Sequence, residues 1–434
     1  MIPRSLANFL RLSTWPILLA MLALMATGVL AIRASEGADA TMRGFSSRQV
    51  IFAGVGLVVF ALMTVIPYEK VARLAYPMYA VTLGMLVLVL FLPAIRDAHR
   101  WIDLKVFKIQ PSELAKLTFI LMLARYLREG QNYRKLWGLI PLFVLTLLPV
   151  GLILKEPDLG TSLLLFPTLF FMLFMAGAKL RHLLGVIGVA AALALMPLPQ
   201  SRASASGPDD WQTRRNLAYW AGEDHIVAAA PLTRMKPNQI ERIAGWLYPE
   251  ADRAGKGFQL YWSRMVLGSG FVAGRSDWNA SDNYFQVLPD DHTDFIFSVI
   301  GGQWGFAGAA AVLGLYAVIF LCGLEIATAT YDPFARLLAG GVLAILFAQV
   351  LINVGMSLGL MPITGMTLPL VSYGGSSLLT NCAALGLLVN VGARRPILLA
   401  KRPFEFGQKE EKPPAPYGPL GAAGQWPRWR RNLG

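Results

Sequence analysis

The sequence predicts an all-α protein that crosses a membrane about ten times. Of its 434 residues, 55% are hydrophobic and only 15% are charged, whereas a soluble globular domain has about 25% charged residues. The apolar residues are grouped in runs of roughly 18–25, which is the length that a helix needs to cross the hydrocarbon core of a bilayer. Together with a mean hydropathy of +0.51, this grouping predicts a polytopic helical membrane protein.

Ten apolar runs are predicted as membrane-spanning helices. They cover residues 14–32, 48–67, 73–93, 112–127, 137–154, 159–177, 183–199, 294–321, 335–358 and 376–393. The loops on one side contain basic residues such as Lys70, Arg128 and Arg336. This bias identifies that side as cytoplasmic and places both termini there.

Positive charge is also found on the predicted outer side. The formal net charge is +13, and Arg48, Arg100 and Lys155 fall in outer positions. Basic residues at a membrane surface bind anionic lipid or phosphate groups. The net charge therefore indicates contact with anionic lipid or phosphate, beside the ordinary bias toward positive charge inside, and the outer basic residues need a separate reason.

Two long polar segments flank or interrupt the spans. Residues 200–293 form one large outer loop, in which "PNQIERIAGWLYPE" and "GFQLYWSRMVLGSG" carry apolar residues at helical spacing. Such segments are typical of helices that lie in the membrane interface. Residues 401–434 are rich in Pro, Gly and Arg, which predicts a disordered cytoplasmic tail in contact with anionic lipid. Residues 1–400 are then the transmembrane domain.

Cysteine and histidine usage predicts neither a disulfide framework nor a metal cluster. The two cysteines, Cys322 and Cys382, both lie in apolar runs, and the four histidines are scattered along the chain. Neither set follows the spacing of a known metal site. We therefore expect no tightly bound cofactor.

One predicted span begins with a pair of opposite charges. Charges within a span are costly, usually face the protein interior and often mark a functional path. In "QPSELAKL", Pro111 suits the first turn of a helix, and Glu113 and Lys116 share a helix face because they are three residues apart. The pair is either a structural ion pair or a pair that orients a neighbouring catalytic group, and the two interpretations are compatible.

Two further motifs place polar residues at the outer ends of spans. In "KEPDLGTS", Glu156 and Asp158 precede a span, and Asp158 can serve as the N-cap of that helix. In "RWIDL", Arg100 stands beside Trp101. An arginine there offers planar donors suited to phosphate, or it is a snorkelling side chain at the interface. Both motifs keep a structural and a functional interpretation.

The segment "PITGMTLPLVSYGGSSLLTN" combines helix-breaking residues with hydroxyl groups. Non-helical backbone at membrane depth persists only inside protein or beside a watery cavity, and a Gly-Gly pair at a helix start offers N–H groups to an anion. The segment is therefore either a re-entrant structural turn or an anion site. The residues that would contact an anion are Ser372, Tyr373, Gly374, Gly375 and Ser376.

The sequence "LPDDHTDFIF" places three aspartates and a histidine at the mouth of the eighth predicted span. They are Asp290, Asp291, His292 and Asp294. From the residues alone, a solvated loop end explains this cluster about as well as a reaction centre does.

Five of these motifs resemble, in the same order, those of the SEDS family (shape, elongation, division and sporulation), which comprises the peptidoglycan glycosyltransferases RodA and FtsW. They are "RWIDL", "QPSELAK", "EPDLGTS", "HTDFIF" and "PITGMTLPLVSYGGSS". The resemblance covers about residues 10–400 and is closer to RodA in "ITG" and in "NQIERIAGWLYPEADRAGKGFQLYWS".

The resemblance implies an inverting glycosyltransferase. RodA-like enzymes join the disaccharides of lipid II into β-1,4 glycan strands at the outer face of the bacterial cytoplasmic membrane, during cell elongation and shape maintenance. A lipid II flippase and a non-catalytic scaffold for elongation or division are the alternatives. The implied partners are lipid II, a class B penicillin-binding protein with transpeptidase activity, elongation-complex proteins and membrane lipid, with no nucleic acid.

The resemblance also implies roles for individual residues. Asp294 would be the base that takes the proton of the acceptor hydroxyl, supported locally by His292 and Thr293, while Glu113 and Lys116 would hold or tune it. A divalent cation, Mg²⁺ or Mn²⁺, would assist the pyrophosphate leaving group, with ligands that the sequence does not identify. The candidates for binding the substrate and its pyrophosphate are Arg48, Arg100, Trp101, Lys116, Glu156, Asp158, Ser372, Tyr373, Gly374, Gly375 and Ser376.

The chain departs from the family pattern at two places. Where the family has two glutamates after the "HTDF" motif, this chain has Gly302 and Gln303. Where the family has the second glycine of "GSGGL", this chain has Phe271. The first change puts in doubt any acidic relay or metal role for those two positions and motivates the scaffold alternative, whereas Asp294 is intact.

Overall fold

The structure is a computed structural model that describes residues 14–38, 44–93, 100–103, 108–130, 132–156, 158–195, 246, 257–275 and 292–394. The helices in these residues are α1 (Thr14–Ala38), α2 (Phe45–Val65), α3 (Tyr68–Arg73), α4 (Ala75–Val89), α5 (Pro111–Glu129), α6 (Ile140–Lys155), α7 (Leu159–Ala176), α8 (Leu180–Leu195), α9 (Phe258–Ser269), α10 (Ile296–Thr328), α11 (Pro333–Leu358) and α12 (Gly375–Arg394). One short antiparallel pair, β1 (Ile102–Asp103) and β2 (Lys108–Ile109), precedes α5. The 401–434 tail lies outside the described residues.

The predicted all-α polytopic membrane architecture is confirmed, because each of the ten predicted spans coincides with a helix. By length and composition, seven helices within the described ranges can cross a membrane, namely α1, α2, α6, α7, α10, α11 and α12. The helix α4 is apolar but shorter. The helix α5 is more polar, and it is tolerated because most of its residues are buried by neighbouring helices.

The helix α12 lies at the centre of the bundle and α2 at its periphery. In the span of α12, 94% of residues are buried, against 17% in α2. A Cβ added to Gly386 would lie only 2.7 Å from the backbone oxygen of Phe60, so glycine at this position lets the two helices approach closely. The buried amide of Asn390 donates to the carbonyls of Met63 and Thr64 at 2.7 and 3.0 Å and fixes the end of α2.

The long helix α10 is broken at Gly305, where φ is 66° and ψ is −166°. The backbone N–H groups of Phe306 and Ala307 donate to the carbonyls of Phe271 and Val272 at 2.8 and 3.0 Å. The turn after α9 therefore supplies the acceptors that the broken helix lacks, as non-helical backbone in a membrane protein requires. The span predicted over 294–321 corresponds to this helix, which extends to Thr328 and contains the break.

The helix predicted from "GFQLYWSRMVLGSG" is confirmed as α9, and it packs along the first part of α10. The hydroxyls of Ser263 and Ser298 lie 2.7 Å apart at this contact, and both are buried. The helix predicted from "PNQIERIAGWLYPE" lies outside the described residues except for Trp246, whose indole Nε1 donates to the carbonyl of Gly359 at 3.0 Å.

The substitution Phe271→Gly is expected to stabilise the protein by about 1 kcal/mol. Phe271 has φ +47°, a left-handed conformation that costs a non-glycine residue roughly 1–2 kcal/mol. Its side chain is 78% exposed, so little packing is lost. The check is the melting temperature in detergent, with Val272→Gly as the control, because Val272 is also exposed and lacks a positive φ. If Phe271→Gly melts no higher than the wild type, the strain at Phe271 is refuted.

Candidate functional site

The segment that joins α11 to α12, residues 359–374, has no regular secondary structure and is called the connector below. Its residues Leu368 and Val371 are buried, and it includes the positive φ angles of Gly365 (+70°) and Leu370 (+67°). The prediction of a helix break here is confirmed. Its backbone is mostly buried over residues 366–372, whereas Leu360 and Gly365 are exposed. Irregular backbone in a membrane protein is tolerated in both settings, inside protein or beside a watery cavity.

The turn that precedes α10 is tied to the connector through backbone carbonyls. The N–H of Tyr373 donates to the carbonyl of His292 at 2.9 Å. The hydroxyl of Ser372 donates to the carbonyl of Thr293 at 2.5 Å and accepts from the N–H of Leu368 at 2.7 Å. Ser372 and Tyr373, predicted as anion contacts, therefore hold the turn in which Asp294 lies.

Asp294 is half-buried and is fixed by a residue that sequence reasoning missed. The side-chain amide of Asn353 donates to the carbonyl of Asp294 at 2.8 Å and to the carbonyl of Met366 at 2.5 Å. A Cβ added to Gly365 would lie 3.4 Å from Oδ2 of Asp294, so the connector backbone lies against the carboxylate. The sequence did contain a signal for Asn353, because a polar residue within an apolar membrane span often marks a functional site.

The first turn of α2 lies beside the same turn. The ring of Phe45 lies 5.0 Å from that of His292 and 4.7 Å from that of Tyr373, and the rings of His292 and Tyr373 are 5.7 Å apart. The buried amide of Gln49 donates to the carbonyl of Ser372 at 3.1 Å. Arg48, next to Gln49 in the chain, is exposed. Arg48 therefore lies in a helix turn that contacts the connector near Asp294.

The N-cap interpretation of Asp158 is confirmed. Its Oδ1 accepts from the N–H of Thr161 at 3.1 Å, and its Oδ2 accepts from the hydroxyl of Thr161 at 2.8 Å. The same Oδ2 accepts from the hydroxyl of Ser112 at 3.0 Å and from the amide of Gln110 at 3.2 Å. This carboxylate therefore joins the start of α7 to the start of α5.

The N-termini of three helices meet at the connector. The N–H of Gln110, at the start of α5, donates to the hydroxyl of Ser376 in the first turn of α12 at 3.2 Å. A Cβ added to Gly160, in the first turn of α7, would lie 2.3 Å from Cγ of Met366 and 3.1 Å from the carbonyl oxygen of Thr364. Helix N-termini carry partial positive charge. Their convergence with the start of α10 makes this end of the bundle favourable for an anion.

Glu156 is a buried carboxyl in the turn between α6 and α7. It is 0% exposed, and neither oxygen has a hydrogen-bond partner among the residues that the structure describes. Burial, with the nearby charge of Asp158, raises its pKa to about 8 against the opposing effect of Arg100. Burial therefore favours the neutral form of the carboxyl, while its backbone carbonyl accepts from Nε of Arg100 at 2.6 Å. Both Arg100 and Trp101 are half-buried.

The substitution Glu156→Gln is expected to stabilise the protein more at high pH than at low pH. An acid whose pKa is raised from 4.5 to about 8 on folding lowers the free energy of unfolding by about 1.4 kcal/mol per pH unit as pH rises through that window. Glutamine does not titrate, so the variant does not lose this free energy of unfolding as the pH rises. Melting temperatures of variant and wild type at about pH 5 and about pH 8 measure it, and an equal difference at both pH values would contradict the assignment.

The predicted pairing of Glu113 and Lys116 is confirmed. Nζ of Lys116 lies 2.7 Å from Oε2 of Glu113, and their side chains are 3% and 7% exposed. The pair lies in the first two turns of α5, after Pro111 at the first helical position. It is a buried structural ion pair; that it also orients Asp294 stays a prediction.

The two positions where glutamates are replaced lie at the break in α10. Gly302 is buried, and its carbonyl accepts from the N–H of Arg275 at 3.3 Å. A Cβ added to Gly274 would lie 2.1 Å from the carbonyl oxygen of Gln303. These positions are eight and nine residues beyond Asp294, about 12–14 Å along the helix, and the hydrogen bonds described above for the Asp294 turn do not involve them.

Among the residues that the structure describes, the side chains around Asp294 do not form a donor set for the divalent cation that the family resemblance suggests. Within the described ranges, no three histidine, cysteine or acidic side chains are grouped to hold a metal. Both oxygens of Asp158 already accept hydrogen bonds, and burial raises the pKa of Glu156.

Comparisons with known proteins identify the family of this chain. The model of the cell cycle protein family, which takes in FtsW, RodA and SpoVE, matches residues 12–396. Peptidoglycan glycosyltransferase MrdB of Escherichia coli is 32% identical over 382 residues, covering 88% of this chain and 94% of MrdB. Peptidoglycan glycosyltransferase RodA of Treponema pallidum is 33% identical over 421 residues, covering 87% and 97%.

Two solved structures also match this chain. A chain from "Structural coordination of polymerization and crosslinking by a peptidoglycan synthase complex" matches with a TM-score of 0.69 and 32% identity, covering 87% of this chain and 97% of that one. The rod shape determining protein RodA of Thermus thermophilus matches with a TM-score of 0.60 and 29% identity, covering 88% and 97%. The chain belongs to the FtsW, RodA and SpoVE family of membrane-embedded cell cycle proteins.

Proposed function

We propose that this chain is a RodA-like peptidoglycan glycosyltransferase that polymerises lipid II into β-1,4 glycan strands at the outer face of the bacterial cytoplasmic membrane. Relatives that bear the name peptidoglycan glycosyltransferase match most of the chain. The observation that carries the proposal is the placement of Asp294 at the start of α10, where three successive backbone carbonyls are held by Tyr373, Ser372 and Asn353.

Asp294 is the proposed base. The bonds that hold its turn are made to backbone carbonyls, so they fix the position of the backbone that carries the carboxylate. A positioned carboxylate can take the proton of the acceptor's 4-hydroxyl as the oxygen attacks the anomeric carbon. The new C–O bond forms as the bond to pyrophosphate breaks, which inverts the α-linked donor to a β linkage, and the proton remains on Asp294.

The leaving pyrophosphate requires positive charge at the same end of the bundle. Arg48 is exposed and Arg100 is half-buried, and the converging helix N-termini add partial positive charge. Lys116 is less suited to direct contact, because it is buried and paired with Glu113. We therefore assign the pyrophosphate to Arg48 and Arg100, and give Lys116 a supporting role.

The proposed partner is a class B penicillin-binding protein, with elongation-complex proteins around it. A peptidoglycan synthase complex contains the structurally similar chain described above, which supports a complex of the same kind here. Membrane lipid surrounds the apolar helices. The positive-inside bias of the loops supports a cytoplasmic location for both termini.

Purified protein with its class B partner and labelled lipid II tests this proposal. Glycan strands that a muramidase digests are expected, and their absence under conditions where the complex is intact would refute it. A flippase would instead move labelled lipid II across vesicles even as Asp294→Asn. A scaffold would restore growth of a deletion strain even as Asp294→Ala, and either result would replace the proposed function.

A further inference from the structure

Asn353 joins two separate segments of the site through one nitrogen. It lies near the end of α11, is 0% exposed, and its Nδ2 donates both hydrogens, to the carbonyl of Asp294 at 2.8 Å and to that of Met366 at 2.5 Å. Both neighbours are acceptors, so the nitrogen and not Oδ1 must face them. Asn353 is the link from α11 both to the turn before α10 and to the connector.

This shared donor sets the distance between the Asp294 carboxylate and the connector. Gly365 immediately precedes Met366, and a Cβ at Gly365 would lie 3.4 Å from Oδ2 of Asp294. If the Met366 carbonyl moves relative to the Asp294 carbonyl, Gly365 moves relative to the carboxylate. The face of Asp294 that lies against the connector therefore depends on both bonds from Asn353.

The backbone around Asn353 is itself fixed by buried hydroxyls. The hydroxyl of Ser357 donates to the carbonyl of Asn353 at 3.0 Å. The hydroxyl of Ser263, on α9, donates to the carbonyl of Ser357 at 3.1 Å and lies 2.7 Å from the hydroxyl of Ser298 on α10. The end of α11 is thus held against α9 and α10 at the level of Asp294.

We infer that Asn353 is a positioning residue for the glycosyl transfer reaction, fixing the Asp294 carboxylate relative to the connector and to the acceptor hydroxyl. The inference rests on the proposed function, in which Asp294 is the base. A misplacement of about 1 Å in a reacting group can cost on the order of 100-fold in rate, and the loss appears in kcat rather than in substrate binding.

Asn390 provides a matched control for a purely structural effect. It is also 0% exposed and also donates from its amide to backbone carbonyls, at the end of α2. It lies 15 residues beyond Gly375, about 22 Å along α12 from the connector. Asn353→Ala and Asn390→Ala therefore remove the same chemical group from equally buried positions, near Asp294 and far from it.

The test measures polymerisation by the complete complex as kcat, KM for lipid II and the pH dependence of kcat. Both variants are expected to lower the melting temperature. Asn353→Ala is expected to lower kcat by about tenfold or more, with KM within about twofold, and to move the acidic limb of the pH profile because the environment of Asp294 has changed. Asn390→Ala is expected to keep the wild-type pH profile and to retain kcat within about threefold.

If Asn353→Ala does not fold, Asn353→Ser is measured instead. The serine side chain is shorter and has a single donor, so it cannot bond to both carbonyls. A kcat for Asn353→Ser or Asn353→Ala that falls no further than that of Asn390→Ala, or a pH profile that does not move, would overturn the positioning role. Wild-type protein that makes no glycan strands would refute the proposed function itself, so the two failures are distinguishable.

Discussion

Polymerisation of lipid II is expected to fall by about 10²–10⁴-fold when Asp294 is replaced by asparagine, which is the usual contribution of a general base. Asparagine has the shape of aspartate but cannot take the proton of the acceptor hydroxyl. The fold should survive, because Asn353 bonds to the backbone carbonyl of Asp294 rather than to its side chain. The measurement is the initial rate of strand formation, normalised to the amount of intact complex.

Asp332→Asn is the control for this substitution. Asp332 is the N-cap of α11, where its carboxylate accepts from the N–H of Ala335 at 3.3 Å. Asparagine caps helices about as well as aspartate, so this variant should polymerise at nearly the wild-type rate. A loss of similar size in both variants would assign the effect of Asp294→Asn to folding and not to proton transfer.

The second large effect concerns the buried ion pair of α5. Glu113→Gln is expected to lower the free energy of unfolding by about 3–5 kcal/mol, because it leaves the Lys116 ammonium buried without its partner. Lys116 is only 3% exposed and its Nζ lies 2.7 Å from Oε2 of Glu113. Chemical or thermal unfolding in detergent measures the change.

The same helix offers a matched control at its other end. Glu129 pairs with Arg125 at 2.6 Å, but their side chains are 48% and 29% exposed, so Glu129→Gln should cost less than about 1 kcal/mol. The double variant Glu113→Gln/Lys116→Met removes both buried charges and should recover most of the lost stability. If the double variant is as unstable as the single one, the ion pair is not the cause.

The double variant also separates the two interpretations of the pair. A purely structural pair predicts that stability and polymerisation recover together. A pair that also orients Asp294 predicts that stability recovers while kcat stays low, because the charge near the site has been removed.

The positions of the spans could be predicted because hydrophobic runs depend on local sequence. Pro111 marked the start of α5, and Asp158 marked the N-cap of α7, since both signals lie within one helical turn of the feature they specify. The break at Gly305 could not be predicted from the apolar run around it. It depends on hydrogen bonds from Phe306 and Ala307 to the turn at Phe271 and Val272, more than 30 residues earlier in the chain.

The same distinction between local signals and contacts of distant residues applies to the candidate site. Motifs identified Asp294, Ser372 and Asp158, but not what each of them contacts. The bond from Asn353 to Asp294 joins residues 59 apart in sequence, and the bond from Ser112 to Asp158 joins residues 46 apart. Such pairings are set by the packing of whole helices. Sequence reasoning could therefore name the acids of the site and Ser372, but it could not assign their contacts or find Asn353.

The central claim is that this chain, through Asp294, catalyses glycosyl transfer. The most direct measurement is strand formation from lipid II by the reconstituted complex with its transpeptidase blocked by a β-lactam, comparing wild type with Asp294→Asn. We expect uncrosslinked glycan strands from the wild type and almost none from the variant. Equal strand formation by the two proteins would contradict it.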